Sequence, residues 1–153
     1  MQVHLPPGDR PLALQVWNTA QVMGVAFDEY LSAAGGSRYH YFVFRALEQN
    51  PGSSQRVLAE AVGVDDATVT HHLTGMEQAG LIVRTRLPED RRVQRVALTE
   101  AGEALRDALQ TAVARYNAEQ FKGVSTEEQA IVFRFLTQAN ANAEGMLRVV
   151  SEG

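Results

Sequence analysis

Apolar positions recur three and four residues apart along the first stretch of the chain, at Val16 and Trp17, Ala20, Met23, Phe27, Tyr30, Leu31 and Ala34. That spacing predicts a long helix from Leu12 with one stripe turned toward a partner. Pro6, Pro7, Gly8 and Pro11 keep the preceding residues irregular to about Arg10, because proline lacks the amide a helix interior needs. Gly35-Gly36 ends the helix. Ser37 caps a second helix over 39–49, with Phe42, Val43, Ala46 and Leu47 expected on one face and Asn50-Pro51-Gly52 as its stop. Ser53 and Ser54 open a short third helix with Leu58, Ala59 and Val62 inward and Gly63 as terminator. Asp65 caps a fourth reaching Ala79, whose inward residues are Val69, Leu73 and Met76.

The periodicity then changes. Residues 81–86 and 93–98 are β-branched-rich runs joined by the polar segment Pro88-Glu89-Asp90-Arg91-Arg92, which predicts a hairpin. Thr99 caps a fifth helix reaching about Lys122, and Ser125-Thr126-Glu127-Glu128 is a capping box opening a sixth that runs toward Val150 with Ile131, Phe135 and Leu136 on one side. The predicted fold is mainly α with a small β-hairpin. Long amphipathic helices at the two ends gather into a bundle, and the middle of the chain forms a compact lobe.

Two short helices around Gly63-Val64-Asp65 have the dimensions of a helix-turn-helix, whose second helix lies in the DNA major groove. With Val69 and Leu73 inward, Ala67, His71, Thr74 and Gln78 point outward, flanked by Thr68 and Thr70. This face has no large apolar residue; its hydroxyls, imidazole and methyl suit phosphates, base edges or a thymine methyl. An αα-hairpin with a solvated face has the same pattern, so the lobe needs a second signal.

Charge supplies that signal in part. The 153 residues carry a formal charge of −4, which on its face argues against nucleic acid. The hairpin region 81–98 nevertheless holds Arg84, Arg86, Arg91, Arg92 and Arg95 against Glu89 and Asp90, a surplus of three positive charges. Arginines outnumber lysines 13 to 1, and guanidinium groups suit a narrow minor groove and bidentate phosphate contact. An edge hairpin kept soluble by charge would look similar. Region 39–80 is acidic by three, although Asp65 and Asp66 act as cap and first-turn residues. The chain has no cysteine, which excludes disulfides, thiolate metal sites and thiol redox switching. With no apolar run of membrane length and no signal-peptide pattern in its first ten residues, a cytoplasmic location without membrane contact is expected.

Four segments in order resemble the MarR family of transcriptional regulators: Leu58-Ala59-Glu60-Ala61-Val62-Gly63-Val64 with Thr68-Val69-Thr70, then Met76-Glu77-Gln78-Ala79-Gly80-Leu81-Ile82, then Asp90-Arg91-Arg92, then Leu98-Thr99-Glu100-Ala101-Gly102. The resemblance covers essentially the whole chain in helix order. It implies one domain over 1–153: a winged helix-turn-helix lobe over 37–99, flanked by intertwining dimerisation helices over 10–36 and 100–150. It further implies a homodimer, acting as a repressor, that binds a pseudo-palindromic operator in double-stranded DNA. Arg92 would then enter the minor groove with Asp90 steadying it and Arg91 beside it. Asp66, Ala67 and Thr68 match the start of the recognition helix, and Thr70 and His71 its phosphate- and base-contacting turn. Ser54, Arg84 and Arg86 complete the expected DNA-facing set. The His71-His72 pair, basic only when protonated, and the near absence of lysine depart from many relatives.

The resemblance also implies release by a small aromatic or phenolic effector, for which Trp17, Tyr30, Tyr39, His40 and Phe44, with Tyr41 beside them, are candidates on the first two helices. An aromatic stripe at helical spacing is more commonly core. No cofactor is expected, and none of the four histidines stands in a catalytic motif, so an enzyme is not. Two alternatives stay open: a metal-responsive regulator using His40 with Asp28 or Glu29, and a dimeric interaction module of the same fold without sequence-specific DNA binding.

Overall fold

The structure is a computed structural model that describes residues 11–86 and 94–151. Its order is α1 (Leu12–Ala33), α2 (Arg38–Gln49), α3 (Gln55–Val62), α4 (Asp66–Gln78), β1 (Ile82–Arg86), β2 (Gln94–Leu98), α5 (Glu100–Gln120) and α6 (Thr126–Ser151). The predicted order of six helices and one hairpin is therefore the observed one. One compact unit runs to Asn117 and a second begins at Ala118.

In the first unit, the corner between α1 and α2 depends on two glycines. Gly35 has φ +85°, and Gly36 N–H donates to Leu31 O at 3.0 Å. A Cβ on Gly36 would stand 2.8 and 2.9 Å from the two δ-methyls of Leu109, so glycine lets α5 pack against this corner. Arg38 at the start of α2 donates to both carboxylate oxygens of Asp28 on α1, through Nε at 2.7 Å and through Nη2, tying the two helices together.

Val43, Phe44, Ala46 and Leu47 of α2 meet Leu58 and Ala59 of α3, Val69, Leu73 and Met76 of α4, Ile82 and Val96 of the hairpin and Leu109 of α5 in one core. Each fully buried Leu or Phe here stabilises the lobe by about 1.5–3 kcal/mol relative to exposure. The predicted face of α2 needs one correction. Phe42 is 41% exposed while Phe44 is 1% exposed, because the stripe centres on 43, 44 and 47 and leaves Phe42 at its edge, tilted against Phe27.

The antiparallel hairpin pairs Ile82 with Leu98 through Arg86 with Gln94. Val96 N–H donates to Ser53 O at 3.2 Å and Ser54 bridges to Arg95, so the segment before α3 lies along β2. The hairpin is locked at its base. Thr99 N–H donates to Leu81 O at 3.1 Å, Thr99 Oγ1 donates to Gly80 O at 2.5 Å and accepts from Gly102 N–H at 3.1 Å. A Cβ on Gly102 would lie 2.0 Å from Leu81 O, so only glycine permits this approach.

In the second unit, α6 opens with the predicted capping box: Ser125 N–H donates to Glu128 Oε2 at 2.8 Å, and Glu128 N–H to Ser125 Oγ at 3.2 Å. Ile131, Val132, Phe133, Phe135, Leu136, Met146, Leu147 and Val149 of this helix are all exposed.

Candidate nucleic-acid interface

The turn between α3 and α4 follows from three side-chain choices. Gly63 adopts φ +72°, and its N–H and that of Val64 both donate to Ala59 O, at 2.9 and 3.1 Å. Ala59, 3% exposed, is small enough for the helices to cross closely. Asp65 then caps α4, accepting from Thr68 N–H at 2.7 Å and Thr68 Oγ1 at 3.0 Å, bonds that hold its carboxyl below the usual range. With Val69, Leu73 and Met76 buried, Asp66, Ala67, Thr70, His71 and Gln78 are exposed and Thr68 and Thr74 half-buried.

Thr70 is oriented from outside its own helix. Gln55 Nε2, in the first turn of α3, donates to Thr70 Oγ1 at 2.5 Å, and that hydroxyl donates to Asp66 O at 2.6 Å. Ser54 caps α3 and accepts, at 3.5 Å, from Val57 N–H.

The arginines of the hairpin separate into two kinds. Arg84, its side chain 16% exposed, is drawn onto α4: its Nε and Nη2 donate to Glu77 Oε2 at 2.9 and 2.5 Å, its backbone N–H to Glu77 Oε1 at 3.3 Å, and Nη2 to Thr74 Oγ1 at 3.4 Å. The guanidinium holds the Glu77 carboxyl below its ordinary pKa. Arg84 thereby braces the hairpin against the exposed helix, a role its spacing from Glu77 does not reveal. Arg86, the last residue of β1, is exposed. Asp90, Arg91 and Arg92 lie outside the described residues.

The ligand candidates also divide. Tyr39 and His40 line a cleft of about 570 Å³ between the start of α2 and α4, with Ser37, His71, His72, Thr74 and Gln78. Tyr39 stacks on His72, ring centroids 3.6 Å apart, and Ser37 Oγ lies 3.1 Å from His40 Nδ1. Burial, and then the neighbouring His72, lower the His40 pKa; burial, and then His71, lower that of His72. Phe44 is instead core, its ring 6.1 Å from that of His40. Tyr30 packs edge-on against Tyr116 at 5.6 Å and lies under Arg115, while Trp17 is 53% exposed on α1; neither lines the cleft. His72 is the cleft residue that sequence reasoning leaves without a role; its one signal is adjacency to His71. Asp28, named as a partner of His40 for a metal, is held by Arg38, and the described residues contain no group of three or more metal-ligating side chains. No described helix is long and apolar enough to cross a membrane.

Known proteins share both the sequence pattern and the fold. Residues 37–93 match the model of the MarR family. The HTH-type transcriptional regulator YdgJ of Bacillus subtilis (strain 168), itself uncharacterized, is 30% identical over 128 residues, covering 84% of this chain and 76% of that protein. Among solved structures, the PcaV transcriptional regulator of Streptomyces coelicolor in complex with its natural ligand superposes with a TM-score of 0.76 at 24% identity, covering 93% of this chain and 99% of that one. The transcriptional repressor CouR, bound to a 23-mer DNA duplex, gives a TM-score of 0.80 at 21% identity, covering 92% and 99%.

Proposed function

This chain belongs to the MarR family of transcriptional regulators, a family of DNA-binding proteins and not of enzymes, and from that premise we propose that it is a homodimeric repressor whose α4 reads an operator in the major groove while the hairpin engages the adjacent minor groove. The observation that carries the reading is the outer face of α4. Ala67, Thr70 and His71 stand exposed, with Thr68 half-buried beside them, on a helix whose opposite side is wholly committed to the core. In this reading Arg86, Arg91 and Arg92 supply the wing contacts, with Asp90 steadying them, and Ser54 and Asp66 lie at the helix starts nearest the backbone. Arg84 supports the wing through Glu77 instead of reaching DNA itself.

Dimerisation is supported by what the helices leave uncovered. α1 exposes Leu12, Trp17, Val22 and Val25, and α6 exposes a longer apolar series. A second copy of the chain is the partner that would cover both. CouR is bound to a DNA duplex and PcaV to its natural ligand, which favours DNA and a small effector as the two partners here. An aromatic or phenolic effector would enter the cleft beside Tyr39 and His40, where it would meet α4 at His71 and His72, the first of them one of the proposed DNA-facing residues. By preferring one arrangement of the lobes it would change operator affinity by its differential binding to the two states.

Selection of bound sequences from a random duplex pool tests this reading. A recovered two-fold-related motif is expected, and its selectivity should change in Thr70→Ala and His71→Ala. A pool with no enriched motif would reject operator recognition and leave the interaction module.

A further inference from the structure

Six arginines are described between residues 37 and 99, and four of them are electrically occupied. Arg38 holds Asp28, Arg45 holds Glu48, Arg56 holds Glu60 and Arg84 holds Glu77. Arg86 and Arg95 have no ion-pair partner among the described residues, and both are exposed. Among the described residues of a lobe whose helices carry more acid than base, these two are the cations without an acidic partner. Strand alternation puts them on opposite faces of the hairpin: Ile82, Arg84 and Arg86 share the face toward α4, while Arg95 shares the other with its register partner Thr85.

The backbone of Arg95 is fixed from both sides, by pairing with Thr85 in β1 and by the bridge to Ser54 before α3. Its side chain is guided as well. A Cβ on Gly52 would lie 3.7 Å from Arg95 Cδ and 4.0 Å from Nη1, so the aliphatic stem runs along the open backbone of Gly52, whose φ of +73° favours glycine. A guanidinium with a fixed strand beneath it and a supported stem loses less rotamer entropy when it binds an anion.

We propose that Arg95 is a DNA-backbone contact: it binds a phosphate on the side of the hairpin opposite Arg86, so that the wing engages the duplex from both of its faces. This rests on the DNA-binding reading above and extends it to a residue that the family motif does not include. As a phosphate ligand, Arg95 contributes affinity and not base preference.

Titration of full-length protein against two fluorescent duplexes of about thirty base pairs, one recovered by selection and one scrambled, separates the alternatives. Arg95→Gln is expected to weaken binding to both by the same factor, about five- to tenfold, and to flatten the slope of log K against log salt by about 0.9 for each phosphate left unneutralised. Arg95→Met keeps the stem over Gly52 and gives the same result in a fold with unchanged packing. Arg45→Gln, whose charge Glu48 already balances, leaves the slope at the wild-type value. An unchanged slope in a folded Arg95 variant, or a weakening confined to the selected duplex, overturns the proposal while leaving DNA binding in place. Wild-type protein that binds neither duplex overturns both readings.

Discussion

Tyr39 of α2 and His72 of α4 stack face to face, with ring centroids 3.6 Å apart and planes inclined by 20°. The pair joins the helix that would border an effector to the helix that would read DNA. His71 sits 5.7 Å from His72 ring to ring and points outward, so a change at Tyr39 is two side chains from the proposed DNA surface.

Acidification should loosen this stack. His40 and His72 have pKa values below the ordinary 6.5 because burial and neighbouring imidazoles disfavour the charged form. The unfolded chain therefore takes up protons first, so stability is full above about pH 6.5 and falls as pH drops below it toward the folded values. Melting at about pH 7.5 and about pH 5.5 should show a lower Tm at the acid end, and His72→Phe, which keeps a stacked ring without a titrating group, should narrow the difference. Equal differences in variant and wild type would remove His72 from the explanation.

The brace between hairpin and α4 predicts a mutant in which binding changes although every DNA-facing group is kept. Glu77→Gln removes the carboxylate that holds Arg84, so the part of the hairpin beyond its buried base should be held less firmly against α4 and DNA affinity should fall severalfold. Arg84→Gln should produce a similar fall, and the double variant little more, because both remove one interaction. The Glu77 carboxyl titrates below its ordinary 4.5, so this contribution is intact at neutral pH and lost as pH falls through the folded value. Additive effects in the double variant would show that Arg84 acts independently of Glu77.

Gln55→Ala should alter selectivity more than stability. Gln55 holds Thr70 from α3, and without it the Thr70 hydroxyl keeps only its bond to Asp66 O, so the side chain is oriented less strictly on the outer face of α4. The motif recovered by selection should broaden by one position in each half-site, while Tm moves by no more than a degree or two. A narrower or identical motif would mean that Thr70 does not read a base.

How far these features can be read from sequence depends on the distance over which each interaction acts. The α3-α4 turn is legible because Ala59, Gly63, Asp65 and Val69 act within a few residues of one another, and periodicity and capping are local rules. The hairpin is legible by the same logic. Periodicity misplaces Phe42 on the wheel of α2 because a 12-residue helix with aromatics at 41, 42 and 44 leaves the stripe's centre ambiguous until Leu58 and Leu73 occupy one side. Arg84 counts among the DNA-facing cations on charge alone, because no periodicity links a strand residue to Glu77 on the preceding helix. Tyr39 and His40 cannot be separated in sequence from Trp17, Tyr30 and Phe44, since spacing along α1 and α2 does not say which aromatic α4 approaches. Gly102 is visible as part of a motif, but the reason for it, the Leu81 carbonyl, is contributed by the other end of the hairpin.

That carbonyl makes Gly102→Ala a sharp test of the joint between hairpin and α5. With the new Cβ 2.0 Å from Leu81 O and 3.0 Å from Leu81 C, backbone must move, and no flexible side chain can give way. The expected cost is roughly 3 kcal/mol or more, which in a domain of this size lowers Tm by about ten degrees. Thermal melts of wild type and variant check it directly; a change of only a degree would mean that the Thr99–Leu81 contact is not held this closely in solution.

On α6, the exposed Ile131, Phe133, Leu136 and Leu147 have no counterpart in a stable monomeric surface. If a second copy covers them, sedimentation should give twice 16.8 kDa, and Phe133→Asp should shift the mass to the single-chain value while leaving helix content unchanged. Operator affinity should then fall by roughly a hundredfold or more, because two lobes joined in one dimer bind the second half-site at an effective concentration that separate monomers lack. A wild-type monomer at micromolar concentration, or a Phe133→Asp dimer with full affinity, would require the apolar face of α6 to be covered by something other than a second copy.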